Sequence, residues 1–154
     1  MAEYLTRDSV ESVSIGNAIP FLDSIPCNKG YVYHQNGTGI FVLRGVVNNP
    51  CGCFARYEVE FTGNIAIQEE GEVTPIATAI MVAGEERVGS RSIFSPTDVE
   101  EYGSVTSRAV VDIPRGCCFT VSVDYVNGTV DDPTVVPTPI INVIDGSLSI
   151  TRIA

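Results

Sequence analysis

The chain has 154 residues, 44% of them apolar and 18% charged, and a formal charge of −10. That length is enough for one domain with a core of its own, and the composition is not that of a disordered segment. The negative charge excludes binding along a nucleic-acid backbone, which needs Lys and Arg, and equally an anionic membrane surface. No apolar run is long enough to span a bilayer as a helix.

Residues 1 to 16, MAEYLTRDSVESVSIG, carry Tyr4, Leu5, Val10, Val13 and Ile15 among polar neighbours. These are too few for a core, and the segment lacks the pattern of a secretory leader. It reads either as an arm that orders on docking to another protein, or as a first strand, "VESVSI", completing a sheet. The folded domain is expected over 17–154. The single histidine, His34 in "YVYHQNG", stands at a strand end beside the Asn36-Gly37 turn and is expected to face solvent.

Further on, "GIFVLRGVV" and "PIATAIMVA" are apolar on both parities and predict strands covered on both sides. Between them, "CFARYEVEF" alternates strictly, with Ala55, Tyr57, Val59 and Phe61 against Arg56, Glu58 and Glu60. Turns are predicted at Gly63-Asn64, Gly84, Pro114 to Gly116, Asn127-Gly128 and Asp145-Gly146. The sequons at Asn36 and Asn127 are read as turn signals. A short helix is predicted around Pro96 to Tyr102, with Ser95 as N-cap. "SVTSRAVVDI" places Val105, Ala109, Val111 and Ile113 opposite Thr106, Arg108 and Asp112, and "FTVSVDY" alternates in the same way. The proline-rich "NGTVDDPTVVPTPIIN" reads as a loop, and "SLSITRI" as the last strand. Many short strands with so little helix predict an all-β sandwich or barrel.

Five cysteines raise the question of thiol chemistry. Cys51-Gly-Cys53 lies in a turn and Cys117-Cys118 opens a strand. Adjacent cysteines fit poorly to structural zinc, whose paired ligands are usually spaced by two residues or more. By parity, Cys53 and Cys117 point into the core and Cys118 outward. Two readings follow: structural thiols buried as small apolar groups, or a late disulfide between the two segments. The acidic pairs Glu69-Glu70, Glu100-Glu101 and Asp131-Asp132 read as solvated faces, or as a surface calcium site. No Gly-rich phosphate loop, HExxH or GxSxG occurs, and one histidine is a poor inventory for nucleophilic catalysis. Neither an enzyme nor a cofactor is expected.

The order of "AIPF", "CFARYEVEFTGNIAI", "TPIATAIMVAGEE", "SVTSRAVVDIPRGCCFTVSVDY" and "SLSITRIA" resembles the C1q/TNF-like jelly roll of bacterial and phage surface proteins, including the C-terminal domain of exosporium collagen-like glycoproteins. The resemblance covers residues 17 to 154, and the chain lacks that group's Gly-X-Y stalk. It implies a homotrimer in which one sheet faces the threefold axis. Arg56, Glu58, Glu60, Arg108 and Asp112 would then lie at the trimer interface, or else on a solvated face. The expected role is a virion surface component made in the cytoplasm, a capsid decoration or head fibre docked through the N-terminal arm. The alternative is a ligand-binding head on a tail fibre, cell or spore surface.

Overall fold

In a computed structural model of the chain, residues 2–5, 11–25, 31–35, 37–45, 53–128 and 139–153 are described. Among them are twelve strands and no helix. In chain order the strands are β1 (Ala2–Leu5), β2 (Glu11–Val13), β3 (Asp23–Ile25), β4 (Val32–His34), β5 (Phe41–Arg44) and β6 (Phe54–Ile67). They continue with β7 (Ile76–Val82), β8 (Glu85–Glu86), β9 (Ser92–Phe94), β10 (Gly103–Pro114), β11 (Cys118–Asn127) and β12 (Ile141–Arg152). Every pairing is antiparallel. Sheet A has the order β10-β6-β12-β1-β3, with β2 also paired to β12. Sheet B has the order β4-β5-β11-β7-β8, with β9 paired to β7.

The alternating sequences became the long strands because each has one apolar face to bury. Ala55, Tyr57, Val59 and Phe61 of β6, Val105, Val111 and Ile113 of β10, and Leu148 and Ile150 of β12 are all buried. Phe41 and Leu43 of β5, Ile76 and Ile80 of β7, and Val121, Val123 and Tyr125 of β11 complete the same core from sheet B. Each such Val, Leu, Ile or Phe side chain contributes about 1.5–3 kcal/mol on leaving water. β7 is buried from Ile76 through Ile80 on both parities, as its sequence predicts. β5 is not: Ile40, just before it, is 55% exposed and Val42 is half-buried.

The described residues of the N-terminal segment pair into sheet A. β1 pairs with β12 through Tyr4↔Leu148, and β2 pairs with β12 through Val13↔Ile141. Tyr4 and Val13 are both 2% exposed. The chain then crosses to sheet B, where Ile19 N–H donates to the Val123 carbonyl at 2.8 Å and Ile19 and Phe21 enter the core. The described residues of this segment thus include two strands of sheet A, the second inside "VESVSI".

Three local expectations are corrected. Gly63-Asn64 lies inside β6, whose ladder to β10 runs without a break through Gly63↔Val105. Asp145-Gly146 is a bulge within β12: Asp145 takes φ 53° and the register to β6 shifts between Ile144 and Ser147. Turn dipeptides therefore bent a strand here without ending it. Residues 97–100 form bends and a turn in place of a helix. Glu100 at φ 57° breaks the helical path, and seven residues are too few to repay helix nucleation.

Candidate functional site

The outward face of sheet A is where chemistry-bearing residues gather. β10 pairs with β6 over its whole length, so the polar parities of both strands lie side by side: Arg56↔Asp112, Glu58↔Val110 and Glu60↔Arg108. Arg56 makes a two-pronged contact to Asp112, Nε to Oδ1 at 2.7 Å and Nη2 to Oδ2 at 3.1 Å. Arg108 reaches diagonally to Glu58, Nη2 to Oε1 at 2.9 Å. The structure thus brings Arg56, Glu58, Glu60, Arg108 and Asp112 onto one face. The hydrogen bond from Arg56 holds the Asp112 carboxyl below its ordinary value, and Asp112 raises the Arg56 guanidinium in turn.

This face is not wholly polar. Phe54 and Val110 share the outward parity and are 42% and 40% exposed. The Arg56 guanidinium lies over the Phe54 ring, 5.0 Å from its centroid. Sequence reading missed both apolar residues. Their signal was present, since each is an apolar break in an otherwise polar parity, Phe54 ahead of Arg56 and Val110 between Arg108 and Asp112.

β10 is the terminal strand of sheet A, and side chains cap its open edge. Arg87 Nη2 donates to the Val110 carbonyl at 2.9 Å, and Ser92 Oγ accepts from Thr106 N–H at 3.3 Å. Such caps keep a long edge from pairing indiscriminately. Arg87 opens a tight turn in which Ser90 N–H returns to the Arg87 carbonyl and Gly89 adopts φ 85°. Ser90, almost fully buried, fixes that turn: its hydroxyl accepts from Ile80 N–H at 3.0 Å and donates to the Arg87 carbonyl at 2.7 Å. At the tip of this rigid turn Val88 is 97% exposed.

His34 is not a solvent-facing strand end. Its ring stacks on Phe41, centroids 4.3 Å apart, and meets Tyr4 edge-on at 4.9 Å. Nε2 lies 2.8 Å from the Thr38 carbonyl, and the buried Nδ1 has no hydrogen-bond partner. The tertiary pairing of β1 with β12, remote in sequence, places Tyr4 there. Of the acidic pairs, Glu69 and Glu70 are exposed. Glu101 accepts from the Thr97 hydroxyl at 2.7 Å, which lowers its pKa. Asp131 and Asp132 lie outside the described residues. No group of three or more metal-ligating side chains occurs among the described residues.

Cys53, Cys117 and Cys118 carry free thiols and all three are exposed, which corrects the expected burial of Cys53 and Cys117. Both keep the inward parity, but each lies one residue outside its strand, where parity no longer decides burial. Cys51 lies outside the described residues.

No family model matches the sequence, and no curated protein matches it. Solved structures do match the fold. Eiger TNF from S. frugiperda is similar over 100% of this chain and 92% of its own, with a TM-score of 0.63 at 9% identity. The globular domain of zebrafish complement 1qA protein is similar over 99% and 97%, with a TM-score of 0.57 at 13% identity. Murine APRIL at pH 5.0 is similar over 96% and 97%, with a TM-score of 0.52 at 11% identity. The chain has the C1q/TNF-like jelly-roll fold that its strand order implies.

Proposed function

We propose that this is a non-enzymatic surface protein that assembles as a homotrimer through the outward face of sheet A, and that the trimer is displayed on a particle as a phage capsid decoration or head fibre. The observation that carries the assembly is the paired charge row around Val110 and Phe54. Exposed ion pairs of this kind contribute little to the stability of one subunit. Placed against a second copy they select partner and register, and pairing within the face avoids leaving lone charges buried.

A closed ring of three uses two different patches on each copy. The sheet A face is one. The capped edge beside it, with Val88 standing out from a rigid turn, is the other. Display on a particle fits the net charge of −10, which keeps an exposed trimer soluble. With β1 and β2 committed to sheet A, the particle is met by an outer surface of the trimer and not by a loose N-terminal arm.

The test pairs charge reversal with mass measurement. Arg56→Glu and Arg108→Glu each place an acidic side chain beside existing carboxylates, so each should lower the solution mass below that of a trimer while the β-sheet spectrum is retained. Unchanged mass in both variants would remove this face from the interface. For display, the protein should co-sediment with purified phage particles. Recovery only in the soluble fraction would contradict that part.

A further inference from the structure

The two thiol-bearing segments converge at one end of the sandwich. Cys53 precedes Phe54, and β10 ends at Pro114 opposite Phe54, so the chain turns toward sheet B right beside Cys53. Within that turn Arg115 N–H donates to the Cys53 carbonyl at 3.1 Å, and Cys117 N–H donates to the Pro114 carbonyl at 3.1 Å. Gly116 takes φ 76°, the left-handed geometry that lets the turn close so tightly. On its far side, Gly45 N–H donates to the Cys117 carbonyl at 3.0 Å. A Cβ at Gly45 would lie 2.3 Å from the Pro114 carbonyl oxygen, so the end of β5 is seated directly on the turn.

Register then distinguishes the thiols. Cys53 has the inward parity of Ala55 and Tyr57 in sheet A, and Cys117 the inward parity of Val121 and Val123 in sheet B. Cys118 has the outward parity of Thr120. The backbone thus brings Cys53 and Cys117, both exposed, to the same end of the sandwich on the inward parities of opposite sheets, while Cys118 takes the outward parity.

We propose that Cys53 and Cys117 form a redox site, a dithiol that closes to a disulfide clasp between the two sheets on meeting a disulfide oxidant such as oxidised glutathione. One thiolate attacks a glutathione sulfur and expels glutathione thiolate, leaving a mixed disulfide. The second thiolate then attacks the protein sulfur of that mixed disulfide and expels the second glutathione. Two protons leave the cysteines, and two electrons reduce the oxidant to two thiols. The closed loop contains β6 to β10, so the clasp restricts the unfolded chain and strengthens the end where β10 passes to β11.

The full-length reduced protein is incubated with oxidised glutathione, its remaining thiols are alkylated, and the digest is mapped by mass spectrometry. The titratable thiols should fall from five to three, that is five less the two cross-linked. A Cys53–Cys117 peptide should appear, and Tm should rise and return on reduction. Cys118→Ser should behave as the native chain. Cys117→Ser should instead hold a stable glutathione adduct on Cys53. A cross-link from Cys117 to Cys51 or Cys118, a link between chains, or glutathione adducts that never close would each overturn the assignment.

Discussion

Asp124 is the residue whose charge costs this fold most plainly. It lies half-buried on β11, and that burial raises its pKa, opposed by a 2.7 Å hydrogen bond from the Ser122 hydroxyl. A raised folded-state pKa means that its contribution to stability is fully present below the unfolded carboxylate value and is lost as pH rises through the folded one. Asp124→Asn keeps the acceptor for Ser122 and removes the charge. It should raise Tm at neutral pH, with the gain shrinking as the solution is acidified; an unchanged or lower Tm at neutral pH would contradict this. Asp112 and Glu86 have the opposite sign. Arg56 and Arg91 depress their pKa values, so their contributions are lost as pH falls below the carboxylate range. A second residue-scale prediction concerns Thr78 and Ser107, both buried, whose hydroxyls meet at 2.9 Å between the sheets. Ser107→Ala strands the Thr78 hydroxyl and should cost about 1–3 kcal/mol by urea unfolding. Adding Thr78→Val should recover part of that loss, and strictly additive losses would show that the pair is not coupled. Nothing in the sequence marks this pair, because Thr78 sits in an apolar run and Ser107 occupies an apolar parity; only sheet packing brings them together.

At the scale of elements, the weight falls on β1 and β2. They occupy separate stretches along β12, and Tyr4 closes an aromatic group with His34 and Phe41 that reaches Phe61 through Phe21. Tyr4→Ala should therefore cost about 3–5 kcal/mol, as large aromatic truncations in cores do. Deleting residues 1–14 should unfold or aggregate the protein, because it bares β12 and removes Val13 from the core. A truncated chain that melts like the native one would restore the free arm. The long alternating strands were readable because period two follows directly from one buried face, and β6, β10 and β11 lie where that pattern puts them. β1, four residues long, was not: too few residues alternate for a pattern, and its partner β12 lies far away in sequence; β2 falls inside "VESVSI", which the sequence left open between strand and arm. The thiol positions failed for a related reason. Parity predicts burial only within a strand, and Cys53 and Cys117 each lie one residue outside theirs.

For the whole molecule, the jelly roll was legible from the order of its strands, and the charge row from the shared parity of β6 and β10. The apolar members of that face were readable as breaks in its polar parity, but the cap on its edge depends on how β9 and the turn at Val88 fold against β10, and no local pattern encodes that. Val88→Asp tests the second patch: the side chain is almost fully exposed, so folding should be unaffected while the solution mass falls. A trimer that persists in this variant would place the second patch elsewhere. The most direct test of the central claim is the solution mass of the native chain by light scattering at micromolar concentration. Assembly through the sheet A face predicts a particle near three times 16.5 kDa, whereas a stable species at 16.5 kDa would contradict the trimer and the assembly role of that face.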